Sequence, residues 1–175
     1  MDEELYRLIG EAKRGGKDAF AQLVTQYKNR VYRHAFGMLG ERMEAEDITQ
    51  EAFIKAYYSF SRLESEYAFS SWMMQIVSNL CKDRLKKREK ERTLRSESIE
   101  ETSIQGVEDN HLGLGIQEAM MTLSTEHREV ILLHDVQGYR YEEIAAIVGI
   151  PLGTVKSRLN MARLALRNEM KKGDA

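Results

Sequence analysis

Helical periodicity is the feature that most constrains how this chain folds. Apolar side chains recur at steps of three and four residues, the spacing that places them on one side of an α-helix. The periodic positions are Phe20, Leu23, Val24, Tyr27, Val31 and Phe36, then Ile48, Phe53, Ile54 and Tyr57, then Trp72, Ile76, Val77 and Leu80. The chain has one proline, Pro151, and few alternating runs of β-branched residues. The sequence therefore predicts an all-α protein.

Turn signals and composition divide the chain into two helical parts. Breaks at Gly15–Gly16, at 37–40 and at 59–71 predict a bundle of about four helices. Residues 93–115 lose the periodicity and gather Ser, Glu, Thr and Gly, which is typical of a flexible linker. A second helical run begins near Ile116 and continues to about Met170. The predicted organisation is a domain over 1–92, a linker over 93–115 and a domain over 116–175.

The formal net charge of −2 hides two basic patches. One lies between Lys82 and Arg95 and the other between Lys156 and Lys172, and the stretch from Ser96 to Glu118 between them has acidic residues but no Lys or Arg. This asymmetry favours two surfaces that face polyanions. On charge alone, two solvated helix faces are the commoner explanation of such a pattern.

Cysteine, histidine and hydropathy exclude several classes of protein. The single cysteine, Cys81, excludes a disulfide framework. The acidic, amphipathic N-terminus does not resemble a signal peptide, and no stretch is apolar enough to insert into a membrane, so we expect a cytoplasmic protein. The four histidines and Cys81 have no spacing typical of metal ligands. No nucleophile, phosphate loop or cofactor motif accompanies them, so we expect neither a cofactor nor an enzyme.

The segment from Tyr141 to Leu166 has the pattern of a helix-turn-helix. Gly149 suits the turn, since a left-handed backbone costs glycine little. Pro151 suits the start of the second helix. The positions predicted to face inward are Ile144, Ala145, Val148, Ile150, Val155, Leu159 and Leu166. The pattern predicts a helix-turn-helix that binds DNA through its second helix.

Polar residues occupy the outward positions of that second helix. They carry the donors that phosphates and base edges in a major groove require. They are Thr154, Lys156, Ser157, Arg158, Asn160 and Arg163. The alternative is a three-helix packing module with a solvated basic face.

Two separate stretches of the chain resemble bacterial extracytoplasmic-function (ECF) RNA polymerase sigma factors. The array LSTEHREVILLHDVQGYRYEEIAAIVGIPLGTVKSRLNMARLALR resembles region 4 of that family. The stretches DAFAQLVTQYKNRVYRHAFGMLG, AEDITQEAFIKAYYSF and FSSWMMQIVSNLCKDRLKKR resemble region 2. Both signatures appear in the family's order, so the resemblance covers nearly the whole chain.

The resemblance implies a protein that directs promoter-specific transcription and helps to melt the promoter. Its implied partners are core RNA polymerase, through the β′ clamp and the β flap, promoter DNA, and an anti-sigma factor. Asp47, Gln50 and Glu51 match the motif with which the family contacts the clamp helices of β′. Complementary charge would fix their register there.

The resemblance also implies the contacts with the −10 and −35 elements. Tyr67 and Phe69 lie where the family captures a flipped −10 base, a role that aromatic stacking suits. Asn79 is in position to read a base edge, and the basic residues after it to bind phosphates. These are Lys82, Arg84, Lys86 and Lys87. The implied −35 contacts are Gly153, Thr154, Lys156, Ser157, Arg158 and Arg163.

One pair of residues departs from the family's pattern. Where the family often has an aromatic residue or His followed by Arg, this chain has Asn160 and Met161. The −35 preference of other members therefore cannot be transferred. Two other functions stay open: a conventional helix-turn-helix regulator, which would bind DNA by itself, and an adaptor that binds polymerase without initiating transcription.

Overall fold

The computed structural model describes residues 3–95 and 111–173, which form α-helices and short helical turns with no strand. The N-terminal bundle consists of α1 (Glu3–Lys13), α2 (Lys17–Leu39), α3 (Arg42–Ser59) and α4 (Phe69–Arg95), with two 3-10 turns (Phe60–Arg62 and Glu66–Ala68) between α3 and α4. The C-terminal bundle consists of α5 (His111–Thr122), α6 (Thr125–Ile131) with a π-helical turn directly after it (Leu132–Val136), α7 (Tyr141–Val148) and α8 (Leu152–Gly173). The prediction of an all-α fold is confirmed.

Helices α1 to α4 are the four predicted for the N-terminal part. The first two end where glycines permit a left-handed backbone: Gly15 follows α1 with a φ of 94°, and Gly40 follows α2 with a φ of 71°. The amide N–H of Gly40 donates to the carbonyl of Phe36 at 2.7 Å, which closes the last turn of α2. Gly37 lies inside α2 and does not end it, since one glycine within a helix of 23 residues costs only about 1 kcal/mol.

The core of the N-terminal bundle contains a group of aromatic rings. Phe69 is buried, and its ring centroid lies 5.0 Å from that of Tyr27 and 5.8 Å from that of Phe60. Trp72, one of the periodic apolar positions, is half-buried and packs edge-on against Phe60 at 5.6 Å. Edge-to-face pairs of this kind stabilise a core beyond the area that they bury. The first turn of α4 is thereby held against α2.

A buried histidine links α2 to α4. His34 Nε2 lies 2.8 Å from Ser78 Oγ, and both residues are fully buried. Burial, and to a smaller extent the charge of Lys82, lower the pKa of His34 from 6.5 to about 3. His34 is therefore neutral in the folded protein at pH values where it takes up a proton in the unfolded chain.

This difference predicts a loss of stability in mild acid. Because the unfolded chain binds the proton below about pH 6.5, the free energy of unfolding should be lower at pH 5 than at pH 8 by about 2 kcal/mol. In His34→Gln, which keeps a polar side chain, that decline should disappear. Urea unfolding followed by circular dichroism measures both proteins. The raised pKa of Glu129 makes the opposite contribution to the pH dependence of stability, and it does so in the wild type and in the variant alike. The same pH dependence in both proteins would therefore contradict the assignment of the decline to His34.

The C-terminal bundle contains the predicted helix-turn-helix. α7 ends at Val148 and is capped by Gly149, whose φ is 76°, and α8 begins directly after Pro151. Ile144, Val155 and Leu159 are buried as predicted. The other four predicted inward positions, Ala145, Val148, Ile150 and Leu166, are half-buried against the core, whereas Ile147, which was not predicted, is buried. Ile147 lies three residues after Ile144 and so shares its face, which the prediction overlooked.

The two bundles pack against each other. α4 contacts α7, and α2 contacts both α5 and α6. One continuous set of buried side chains runs through both bundles. α4 extends to Arg95 and α5 begins at His111, so helices enter the predicted linker from both sides. The rest of that linker, 96–110, lies outside the described residues, and the domain boundaries stay a prediction.

Candidate functional site

The predicted clamp-binding residues share an exposed face of α3. Asp47, Gln50 and Glu51 are exposed, while Ile48 and Ala52 between them are buried against the bundle. The steps of three and four residues place the three polar side chains on adjacent turns. Glu51 Oε2 lies 3.9 Å from Arg84 Nη2, a loose pair at a solvated surface. The arrangement leaves both carboxylates available to an approaching basic partner.

Apolar side chains extend this face beyond what the sequence predicted. Ile54 was expected on the apolar side of α3 but is 59% exposed. It lies four residues after Gln50 and three after Glu51, so it points the same way as they do. Met43, four residues before Asp47, is 73% exposed. We call these five residues, Met43, Asp47, Gln50, Glu51 and Ile54, the clamp face.

The candidate −10 loop presents one aromatic ring to solvent. Tyr67, in the 3-10 turn before α4, is 77% exposed, and its ring centroid lies 4.5 Å from that of Tyr6. Ser65 Oγ accepts a hydrogen bond from the Tyr67 amide at 3.2 Å and fixes the turn. Phe69 is 2% exposed. The expectation that Phe69 stacks on a base is corrected accordingly, since its ring fills the core.

Some polar and basic side chains in the second half of α4 are exposed, and others form ion pairs with carboxylates of the protein. Asn79, Lys86 and Lys87 are exposed. Lys82 and Arg84 are half-buried: Lys82 Nζ lies 3.2 Å from Glu129 Oε1 of α6, and Arg84 faces Glu51. Asn79 and Lys86 lie two turns apart on one side of α4. That side presents an amide and an ammonium group to solvent.

Arg88 of the same run has a structural contact that the sequence did not reveal. Its Nη1 donates to the carbonyl of Leu39 at 2.9 Å, at the C-terminal end of α2. Its Nη2 forms an ion pair with Glu44 and lies 3.6 Å from Glu41. A guanidinium at a helix C-terminus meets carbonyls that have no partner within the helix. Arg88 therefore ties α4 to the α2–α3 connection.

Helix α8 is the candidate recognition helix. Gly153, Lys156, Ser157 and Asn160 are exposed along one side of it, and Thr154 is half-buried. Ser157 Oγ donates to the carbonyl of Gly153 at 3.2 Å and is also 3.3 Å from that of Thr154. These side chains lie on the first two turns of α8, which a helix-turn-helix inserts into the major groove.

Two predicted −35 residues are held by ion pairs within the C-terminal bundle. Arg163 forms a two-pronged contact with Asp135, with Nη2–Oδ1 at 2.6 Å and Nε–Oδ2 at 3.1 Å. Arg158 is largely buried, and its Nη2 lies 3.9 Å from Glu126 Oε2. The Arg163–Asp135 contact ties α8 to the segment before α7, whereas the Arg158–Glu126 pair is loose, since the Glu126 side chain is 69% exposed. Of the six predicted −35 residues, Arg158 and Arg163 are the two that have a carboxylate partner among the described residues.

Cys81 was the one residue of the chain considered for thiol chemistry, and its surroundings make it unreactive. Cys81 is buried, and burial, followed by the charge of Glu129, raises its pKa to about 12. At that pKa the thiolate, which is the reactive form, is scarce. Within 3–95 and 111–173 no group of His, Cys, Asp and Glu side chains has the arrangement of a metal site. In the same ranges no helix has both the length and the hydropathy to cross a bilayer.

Comparison with known proteins agrees with both signatures. Residues 23–91 match the family model of Sigma-70 region 2, and residues 114–166 match that of Sigma-70 region 4. The chain is 35% identical to the ECF RNA polymerase sigma factor SigW of Bacillus subtilis over 98% of its own length and 99% of that protein. It is 32% identical to the RNA polymerase sigma factor SigV of Bacillus subtilis over 93% of this chain and 97% of that one.

Solved structures show the same fold. The sigma factor RpoE from Bartonella quintana, co-crystallised with the anti-sigma factor NepR, superposes with a TM-score of 0.73 at 28% identity, over 87% of this chain and 96% of that one. CnrH, in complex with the cytosolic domain of CnrY, superposes with a TM-score of 0.72 over 97% of this chain and 98% of that one, at 22% identity. With both sigma regions matched in order, the chain belongs to the family of ECF RNA polymerase sigma factors.

Proposed function

We propose that this protein docks on core RNA polymerase through the clamp face and directs initiation at promoters that it reads with two domains, 1–92 and 116–175. The observation that carries the proposal is the exposed face of α3, where two carboxylates and an amide are flanked by exposed Met43 and Ile54. A polar centre with apolar ends is suited to another protein, since charge fixes register and apolar area adds affinity. It is poorly suited to DNA, because its carboxylates repel phosphates.

Core polymerase compensates for weak contacts with DNA. The chain has a net charge of −2, and each phosphate contact is modest and sensitive to salt. Lys86, Lys87 and Lys156 are exposed and available for such contacts. A polymerase that positions both domains adds their contacts within one complex, which raises the effective affinity without any new contact.

At the −10 element, we assign base capture to Tyr67 and strand contact to α4. Tyr67 offers an exposed ring, and stacking of one base on an aromatic side chain is worth about 1–3 kcal/mol. Asn79 offers an amide to a base edge, and Lys86 and Lys87 offer charge to the backbone. Lys82 and Arg84 join them only when their present carboxylate partners release them.

At the −35 element, we expect the start of α8 to determine sequence preference. Lys156→Ala and Ser157→Ala remove exposed donors from the side that enters the groove. At least one of them should change the ranking of −35 variants, because one good base contact is worth about 1–3 kcal/mol of discrimination. Run-off transcription with core polymerase on a set of −35 variants measures this. Lys171→Ala, which removes an exposed charge at the far end of α8, is the control and should leave the ranking unchanged.

Unchanged ranking in both variants would show that another side of α8 enters the groove. Uniform loss of transcription in Lys156→Ala alone would assign that side chain to a phosphate. Arg158→Ala and Arg163→Ala are less informative, since each also removes an intramolecular ion pair, which is close for Arg163 and loose for Arg158.

We further propose that an anti-sigma factor regulates this protein. RpoE of Bartonella quintana, 28% identical to this chain, was crystallised with the anti-sigma factor NepR. The clamp face is the surface that such a partner would most effectively cover, because covering it removes polymerase docking. The same assignment implies action in the cytoplasm, where polymerase is found, and no catalytic activity of the chain itself.

Run-off transcription with purified core polymerase on a promoter library is the direct test. The protein should direct initiation at specific sites only when core polymerase is present. Specific binding of a promoter duplex by the free protein, with no effect on transcription, would instead identify a conventional helix-turn-helix regulator. Binding to core without any initiation would identify an adaptor.

A further inference from the structure

Helix α1 packs against the turn that carries Tyr67. The helix ends at Lys13, and the region 2 match begins at residue 23, so α1 lies outside both matched regions. Its apolar side, with Leu8, Ile9 and Ala12 buried, belongs to the core of the N-terminal bundle. α1 contacts α2 and both 3-10 turns that precede α4. It is therefore placed to influence the candidate −10 loop, although no motif assigned it a role.

Two residues of α1 meet consecutive residues of that turn. The ring centroid of Tyr6 lies 4.5 Å from that of Tyr67, and the two ring planes are inclined at 57°. Four residues later, Gly10 is buried, and a Cβ atom there would lie 3.7 Å from Glu66 Oε1, an ordinary contact distance. Positions four residues apart share one face of a helix. One side of α1 therefore supports the turn at both points.

Tyr6 is held more firmly than the ring that it contacts. Tyr6 is half-buried on a regular helix, whereas Tyr67 is exposed and the hydrogen bond from Ser65 fixes only its backbone. Among the residues that the structure describes, the ring in contact with Tyr67 is that of Tyr6. An exposed side chain must otherwise be ordered at the moment of binding, which lowers affinity. Contact with Tyr6 orders the Tyr67 ring beforehand and leaves most of it open to solvent.

A pocket of about 460 Å³ opens beside this pair of rings. Residues of the N-terminal bundle that line it include Tyr6, Tyr67, Tyr27, Arg30 and Ser70. Arg30 Nη1 donates to Ser70 Oγ at 3.4 Å, and its guanidinium lies 5.8 Å from the Tyr27 ring centroid. Aromatic surface and hydrogen-bond donors are the groups with which proteins hold an unstacked base. The Tyr6–Tyr67 pair thus stands at the wall of a pocket with suitable chemistry.

We propose that Tyr6 is a positioning residue for promoter recognition: its ring holds that of Tyr67 in the orientation that receives an unstacked base of the −10 element. This role rests on the proposed capture of a base by Tyr67. An aromatic pair of this geometry favours one arrangement by about twofold to tenfold. Tyr6 should therefore strengthen base capture by that factor while Tyr67 makes the stacking contact.

Variants at position 6 separate the ring from the hydroxyl and from apolar volume. Tyr6→Phe keeps the ring, whereas Tyr6→Leu keeps apolar volume without a ring. Holoenzyme formed from each protein and core polymerase is mixed with fluorescein-labelled single strands of a −10 sequence selected from the promoter library. In these strands each −10 base in turn is replaced by an abasic site. Fluorescence anisotropy measures the affinity for each strand, and circular dichroism checks the helix content of each variant.

In the wild type, one abasic site should weaken binding more than the others, and that site identifies the captured base. Tyr6→Leu should reduce this penalty by about twofold to tenfold and leave the penalties at other positions unchanged. Tyr6→Phe should match the wild type, as should the control Arg7→Ala, which changes an exposed neighbour on α1. An unchanged penalty in Tyr6→Leu, or an equal loss of affinity for all strands, would overturn the proposal.

A double-mutant cycle shows whether Tyr6 acts through Tyr67. In the Tyr67→Ala background, Tyr6→Leu should have no further effect on the affinity, because the ring that Tyr6 holds is already absent. An equal effect in both backgrounds would show that Tyr6 contacts DNA or supports the bundle independently of Tyr67. That result would contradict a positioning role.

The pair of rings can be tested without polymerase or DNA. Fluorotyrosine incorporated at position 67 reports its surroundings through its fluorine resonance in the free protein. Tyr6→Leu should move that resonance because it removes the neighbouring ring, whereas Arg7→Ala should leave it in place. An unmoved resonance would show that the rings do not meet in solution. If the wild-type holoenzyme fails to initiate, the sigma function and the role of Tyr6 fail together, while the resonance still reports the pair.

Discussion

Replacing Asp47, Gln50 and Glu51 together with alanine should lower the affinity for core RNA polymerase by about a hundredfold or more. Removing one partner of a charged interfacial pair costs about 2–5 kcal/mol, and each 1.4 kcal/mol is about a factor of ten. The fold should survive, because all three side chains are exposed. The triple variant also breaks the loose ion pair between Glu51 and Arg84, but surface pairs of this kind contribute little to stability.

Binding of labelled protein to purified core polymerase measures this effect, with circular dichroism as the check on folding. Glu3→Ala with Glu4→Ala is the matched control, since it removes the same charge from an exposed turn of α1. The control should bind core like the wild type. Unchanged binding by the triple variant, with helix content intact, would remove the clamp face from the proposed function.

Arg128→Ala should lower the free energy of unfolding by about 3–5 kcal/mol, the largest stability change expected here. Arg128 is 5% exposed and donates to carbonyls in two bundles: Nε to Met120 at 3.0 Å, Nη2 to Leu123 at 3.0 Å and to Met121 at 3.3 Å, and Nη1 to Met38. These carbonyls belong to the ends of α2 and α5 or follow α5 directly. Without the guanidinium these carbonyls lose a charged donor, and that of Met120 keeps the amide N–H of Leu123 at 3.2 Å.

Urea unfolding measures the change, with Arg167→Ala on the exposed side of α8 as the control for the loss of a charge. Arg128→Lys should recover only part of the stability, because an ammonium lacks the planar fork that reaches several carbonyls at once. A loss below about 1 kcal/mol in Arg128→Ala would show that water replaces the guanidinium and that the site is not desolvated.

The helices and the turn between α7 and α8 could be predicted because their causes are local. Apolar spacing in α2 and α8 sets which side is buried, and Gly149 has the left-handed φ that its turn requires. The assignment to region 2 and region 4 rests on motifs of adjacent residues, which are read without knowing any distant contact. Such local signals determine both the type of each secondary-structure element and the family to which the chain belongs.

The exposure of individual residues was less predictable. Periodicity in α3 separated Ile48 from Asp47 correctly but misplaced Ile54, because an apolar residue on a docking surface has the same chemistry as one in a core. Tyr67 and Phe69 were equal candidates for stacking. Only the packing of Phe69 on Tyr27 and Phe60 distinguishes them.

The charged residues show most clearly which features follow from the sequence alone and which depend on the tertiary structure. The sequence by itself determined that the ends of α4 and α8 are basic, and that the chain has two helical domains with the signatures of a sigma factor. Tertiary structure decided that Arg88 and Arg128 donate to backbone carbonyls, that Arg163 pairs with Asp135, and that Tyr139 joins the two bundles. The reason is physical: whether a cation meets solvent, a carbonyl or a carboxylate depends on which distant segment packs beside it. Arg163 and Asp135 are 28 residues apart, and Lys82 and Glu129 lie in different bundles.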